Sequence, residues 1–185
     1  MTDDSQLLAD YARRGDVSSL SALVVRHAKW LTAFLRGFAP CDADAEDLLQ
    51  DVWVRVIRSC GSYRGGSVKA YLVRIARSVA IDRFRRSRPT VSVDAADETG
   101  GTLAETLVDG ALTPGERFES KATAADVRAA VRTLPDGPRE VLLLRIEGEM
   151  PFKEIAETMG IPLGTALTWM HVATLRLKKM LGNAK

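Results

Sequence analysis

Two sets of side chains between Asp44 and Arg88 have the types and spacing for binding chemistry. The first is Asp47, Gln50, Asp51 and Arg55. They lie opposite an apolar stripe of Leu48, Val52 and Val56, flanked by Leu49 and Trp53, at helical spacing. A mostly acidic helix face suits a basic protein surface. The second set opens at Tyr63-Arg64-Gly65-Gly66-Ser67 and runs through Lys69, Tyr71, Arg74, Arg77, Ser78 and Arg83 to Arg85, Arg86 and Arg88. It surrounds a second helical stripe of Leu72, Ile75, Ala76, Val79 and Ala80. Residues 64–88 carry eight basic and one acidic side chain, a local charge of +7 that the chain's net +2 conceals. Unstacked bases need aromatic platforms and their backbone needs cations, so Tyr63 and Tyr71 among these arginines point to a nucleic-acid strand. Core packing is the competing reading for the tyrosines, more for Tyr71 than for Tyr63, because Gly65-Gly66-Ser67 reads as exposed loop. For the arginines the competing reading is a solvated face.

Catalytic constellations are missing from the sequence. There are no paired carboxylates in a plausible cleft and no phosphate-cradling glycine loop, and neither His27 nor His171 has a sequence-evident partner. The expectation is a protein that is not an enzyme and uses neither cofactor nor metal. Cys41 and Cys60 lie far apart without His or Cys at metal-ligand spacing, which fits two reduced thiols in a cytosolic protein. Met1 is followed by Thr-Asp-Asp-Ser and not by a basic, apolar leader. No run approaches the roughly 18 apolar residues that span a bilayer, so a cytoplasmic location without membrane insertion is expected.

The ordered pattern Glu-Asp-Leu-Leu-Gln-Asp (Glu46 to Asp51), then Tyr-Arg-Gly-Gly-Ser-Val (Tyr63 to Val68) and Arg-Ile-Ala-Arg-Ser-Val-Ala-Ile-Asp-Arg-Phe-Arg-Arg (Arg74 to Arg86), resembles the N-terminal conserved domain of bacterial RNA polymerase sigma factors. The resemblance is to the small extracytoplasmic-function group. It implies that the helix with Asp47, Gln50, Asp51 and Arg55 docks on a coiled coil of core RNA polymerase. It also implies that Tyr63, Arg64, Lys69, Tyr71, Arg74, Arg77, Ser78 and Arg83 read the minus-ten promoter element as a melted non-template strand. Ser78 stands where the family usually has Asn, and Tyr63 where its first aromatic is Phe.

The elements that must position these groups are helical. Residues 4–38 read as two helices separated near Gly15-Asp16, with Ser18 or Ser19 as the cap of the second. Pro40, Asp42 and Asp44 break the chain before the next helix, with Asp44 as its N-cap. Trp30, Phe34, Phe38 and Trp53 are expected in the core. Residues 89–116 reverse the charge, with six acids and no base, and carry Gly100-Gly101 and Pro114-Gly115. They read as a flexible linker, although a mobile acidic strand can also occupy a channel that otherwise holds nucleic acid. A helix over 116–133 is expected next, with Phe118, Ala122, Ala125, Val127 and Val131 apolar. Further helices follow over 139–147, from Pro151, and over 166–181. Ala156, four residues before the turn glycine Gly160, completes a helix-turn-helix signature. The expected fold is all-α: two small helical domains, 1–89 and 116–185, joined by an acidic linker over 90–115.

Leu134-Pro135, Arg139-Glu140-Val141, Glu154-Ile155-Ala156, Gly160-Ile161-Pro162 and Gly164-Thr165 resemble the C-terminal sigma domain. Its helix-turn-helix binds the duplex minus-thirty-five element, which assigns Lys153, Thr165, Leu167, Thr168, Trp169, His171 and Arg176 to DNA by implication. The last helix departs from that pattern. Leu167, Thr168, Trp169, Val172, Ala173 and Thr174 occupy places where the family is largely basic, which removes phosphate contacts. Ala166, Met170, Ala173 and Leu177 make the inward stripe, leaving Leu167 and Trp169 off it. They pack on neighbouring helices, touch thymine methyls, or face a protein partner. The resemblance therefore implies an initiation factor that directs core RNA polymerase to promoters, with an anti-sigma factor as regulator. A stand-alone helix-turn-helix regulator, or a sigma-like interaction protein, are the alternatives.

Overall fold

The computed structural model describes residues 3–87 and 123–182, with side chains through Arg83 in the first stretch. The linker over 90–115, the expected helical residues 116–122, and Arg85, Arg86 and Arg88 lie outside these described residues and side chains. Every regular element among the described residues is helical. The first domain holds α1 (Asp4–Arg14), α2 (Val17–Arg36), α3 (Asp42–Ser59), a 3-10 turn (Cys60–Ser62) and α4 (Val68–Ser87). The second holds α5 (Ala124–Arg132), α6 (Asp136–Ile146), α7 (Phe152–Met159) and α8 (Leu163–Gly182).

Local chemistry sets the boundaries. Gly15 takes the left-handed conformation (φ 66°) that closes α1. The cap of α2 is Asp16 and not a serine: its carboxylate accepts from the Ser18 amide and from the hydroxyls of Ser18 and Ser19. These three bonds hold the Asp16 carboxyl at about 2, well below the usual carboxylate range. Nor does Asp44 cap α3. The helix begins three residues earlier than that cap would set it, after an extended Cys41 (φ −140°), which puts Asp42 and Asp44 in its first turn. There they complement the helix dipole from within. Thr123 and Asp126 form a reciprocal capping box on α5, and Gly160 (φ 68°) ends α7 with the turn that a helix-turn-helix needs.

The stripes read from the sequence become the core. Leu48, Val52 and Val56 meet Leu72, Val73 and Ala76 between α3 and α4, all at most 2% exposed. Phe34 is fully buried, while Trp30, Phe38 and Trp53 are half-buried against the core. In the second domain Val141, Leu144, Ile155, Ala166 and Ala173 are sealed. The two domains touch: α7 packs on α4 and α6 on α2. Gly37, just past α2, permits this approach, because a Cβ there would lie 2.3 Å from Leu143 Cδ1.

Candidate nucleic-acid and polymerase interface

Helix α3 presents Asp47, Gln50 and Asp51 to solvent on the side opposite its buried stripe. Arg55 does not join them. Its guanidinium turns across to α4, donating from Nη1 to Ser78 Oγ at 2.8 Å and from Nη2 to Asp82 Oδ2 at 2.6 Å. Arg83 makes the return connection, 3.3 Å from Asp44 Oδ1 and 3.6 Å from Asp47 Oδ2. Of the expected strand contacts, Arg83 thus belongs to the acidic face. Exposed Val54 and Ile57 add apolar area to α3 that the charge pattern did not mark. Their one signal was falling off the Leu48/Val52/Val56 stripe.

The loop before α4 builds a different kind of site. Tyr63, Arg64, Tyr71, Arg74 and Ser78, with Arg55, Ser62, Gly65 and Ile75, line one cavity of about 510 Å³. Gly65 and Gly66 sit at φ 96° and 94°, a conformation that side-chain-bearing residues rarely adopt. The resulting bend lets the Tyr63 hydroxyl donate to the Gly66 carbonyl. The rings of Tyr63 and Tyr71 stand edge to face, with centroids 5.4 Å apart. Tyr71 is held at its far end by a 2.7 Å bond with Ser59 Oγ, and burial pushes its phenol above the usual range. Both rings are half-buried against the core while lining the cavity. Each ring therefore packs on the core and borders the cavity at once. The cavity's cations are Arg64 and Arg74, which donate to the Gly61 and Ala70 carbonyls at 3.4 Å, and Arg55, already paired with Ser78 and Asp82.

Lys69 and Arg77 go elsewhere. Lys69 Nζ lies 5.6 Å from the centroid of the Trp30 ring and donates to the Gly148 carbonyl at 2.6 Å. Arg77 Nε lies 3.1 Å and 3.0 Å from the two carboxylate oxygens of Glu140, a residue only 4% exposed. Burial raises the Glu140 carboxyl, an effect that the Arg77 charge only partly offsets. Ser67 Oγ donates to Glu154 Oε1 at 2.6 Å. Beside this seam Asp4 pairs with Arg26 and with buried His27, whose Nδ1 accepts from Trp30 Nε1 at 3.0 Å. Burial lowers the His27 imidazole. Burial also pushes the Asp4 carboxyl up, but its bonds and charges with Arg26 and His27 prevail and leave it below the usual range.

In the helix-turn-helix, Lys153, Leu167, Thr168, His171 and Arg176 are exposed, and Thr165 is half-buried in the first turn of α8. Thr168 spends its hydroxyl on the Gly164 carbonyl. Leu167 and Trp169 part company. Leu167 is 48% exposed, whereas the half-buried Trp169 ring packs over Gly137 at the start of α6. Leu163 and Leu175 are exposed on the same helix, extending the apolar character of α8 beyond what the sequence singled out. Cys41 and Cys60 are free thiols. Among the described residues no helix is long and apolar enough to cross a membrane, and no His, Cys, Asp or Glu cluster suits a metal ion.

Comparisons with known proteins converge. Residues 23–90 match the family model for sigma-70 region 2, and residues 124–177 that for sigma-70 region 4. The extracytoplasmic-function sigma factor SigW of Bacillus subtilis is 30% identical over 141 residues, covering 75% of each chain. SigE of Mycolicibacterium smegmatis is 28% identical over 184 residues, 97% of this chain and 69% of that one. Among solved structures, CnrH in complex with the cytosolic domain of CnrY superposes with a TM-score of 0.70 at 22% identity, over 99% of this chain and all of that one. Sigma factor RpoE of Bartonella quintana, in complex with the anti-sigma factor NepR, gives 0.66 at 21%, over 90% and 98%. These matches cover both helical domains of the all-α chain, including the helix with the acidic face, the aromatic and cationic cavity and the helix-turn-helix, and the chain belongs to the extracytoplasmic-function group of the sigma-70 family of transcription initiation factors.

Proposed function

We propose that the two domains divide the work of promoter selection, residues 1–89 binding core polymerase and the minus-ten element and residues 116–185 the upstream duplex. The observation that carries this is the convergence of Tyr63, Arg64, Tyr71, Arg74 and Ser78 on one cavity beside the acidic face of α3. An unstacked base needs a π-face and nearby donors, and the cavity supplies both. Asp47, Gln50 and Asp51 serve a basic surface of the polymerase, with exposed Val54 and Ile57 adding apolar contact. Arg55 acts from the groove between α3 and α4, bridging the two functions. The protein acts in the cytoplasm, without catalysis of its own, and an anti-sigma factor holds it in check. Transcription in vitro with core polymerase on genomic fragments tests the reading. Factor-dependent starts are expected, and Tyr63→Ala weakens capture of a single-stranded minus-ten oligonucleotide by about 1–3 kcal/mol. Equal capture by the variant removes Tyr63 from the site.

The exposed Leu163, Leu167 and Leu175 favour a second role for α8 as a protein contact. Its few cations make isolated binding to duplex DNA weak and its salt dependence shallow.

A further inference from the structure

Resting on that reading of the tyrosine cavity, we propose that Ser5 of α1 is a positioning residue for the base platform, holding the Tyr63 ring in place through its hydroxyl. Ser5 lies ahead of residues 23–90, which make up the region 2 match, so this contact comes from outside it. Its Oγ is 3.1 Å from the Tyr63 hydroxyl and 3.2 Å from the Gly66 carbonyl oxygen, which also accepts from Tyr63. Three oxygens and two protons thus close a small triangle between α1, the ring and the loop. A phenylalanine at this position would keep the stacking face and lose the brace.

The bend that carries Tyr63 needs such a brace. Gly65 and Gly66 hold φ values of 96° and 94°, and glycine loses more conformational freedom on being fixed than any other residue. Apart from chain neighbours, nothing lies within 4 Å of where a Cβ would stand at either glycine, so packing does not fix the loop there. Ser5 itself sits on an anchored helix. Leu7 and Leu8 are buried, and Asp4 pairs with Arg26 and His27 of α2. Tyr71 is pinned from the other side. Ser59 donates to the Arg55 carbonyl at 2.7 Å, so its oxygen accepts from the Tyr71 hydroxyl. The 5.4 Å separation of the two rings is therefore set by α1 for one and by α3 for the other. A platform fixed in advance spares the strand an ordering cost at binding.

The test uses the full chain assembled with core polymerase, and single-stranded deoxyoligonucleotides of about twelve nucleotides, each with 2-aminopurine at a different position. Emission of 2-aminopurine falls when it stacks, so one titration reads affinity and platform contact together. Ser5→Ala and Tyr63→Phe should each weaken binding about 2–10-fold, the range of one net hydrogen bond, and lessen the quenching at saturation. The double variant should lose no more than either single one, since both remove the same brace. Ser5→Thr keeps a hydroxyl and should restore most of the affinity. Gln6→Ala, next along α1 and bonded to Asp10 within the helix, should match wild type. Wild-type affinity and quenching in Ser5→Ala overturn the proposal, and so do losses that add in the double variant. If Tyr63→Ala binds and quenches like wild type, the base-platform reading fails and the brace with it. If Tyr63→Ala loses binding while Ser5→Ala is silent, the brace alone fails.

Discussion

Replacing Gly137 with alanine asks whether Trp169 belongs to the core or to a partner. A Cβ at Gly137 would lie 2.6–2.7 Å from three carbons of the Trp169 ring, which cannot bend out of the way as an aliphatic chain can. Overpacking of this kind costs about 1–3 kcal/mol. Alanine near the start of α6 recovers up to about 1 kcal/mol of helix propensity, so the net destabilisation is about 1–2 kcal/mol. For a chain of this size that is about 2–8 °C in Tm. Thermal melting followed by circular dichroism gives the stability. Tryptophan emission gives the fate of the ring, which moves toward water and shifts to longer wavelength. A variant with unchanged Tm and unchanged emission would refute the packing of Trp169 on Gly137 and return the side chain to the partner-facing set. Leu167→Lys is the matching control. Its side chain is already half in water, so the charge should leave the Tm within about 0.5 °C to 2 °C of wild type.

Asp47→Lys with Asp51→Lys should weaken capture of the chain by immobilised core polymerase while leaving helical content unchanged; undiminished capture would mean that this face is only solvated. Glu140 has a folded pKa raised above its unfolded value, so its contribution is complete below the unfolded pKa and lost as pH rises through the folded one. At neutral pH Glu140→Gln should therefore hold or raise the Tm, whereas Arg77→Met lowers it by stranding a buried carboxylate, and the reverse order of melting would contradict this balance. His27 has a folded pKa depressed below its usual value near 6.5, so its contribution is present above that pH and lost as pH falls through the folded value. Depression of Asp4 below its own unfolded value extends the loss to lower pH. The Tm of the wild type should drop between pH 7 and 5 more than that of His27→Gln, and parallel profiles would remove His27 from the acid response.

Much of this molecule was written locally. Leu48, Val52 and Val56 with Leu49 and Trp53 beside them share one side of a helix but would split between the two faces of a strand, so α3 and its acidic outer face followed from the period. Gly160 fixed the turn before α8 because few other residues accept its φ. The grouping of tyrosines and arginines around Gly65-Gly66 was visible in type and order, before the cavity they line was known. Tertiary structure decided where each long side chain was spent. Arg55 and Arg83 exchanged faces, because Asp82 lies within reach of one and Asp44 within reach of the other across the α3–α4 packing. Lys69 and Arg77 met acceptors that are 79 and 63 residues away in sequence, a separation that no periodicity encodes. The cap of α2 fell to Asp16 and not to Ser18 or Ser19, since one carboxylate satisfied an amide and both hydroxyls together. Trp169 left the outer face of α8 because Gly137, on another helix, has no side chain to exclude it. Helical periods and turn residues are properties of neighbouring positions, and a single chain displays them. The partner of a flexible charged or aromatic side chain is set by which distant surface arrives beside it, and only the packed fold supplies that.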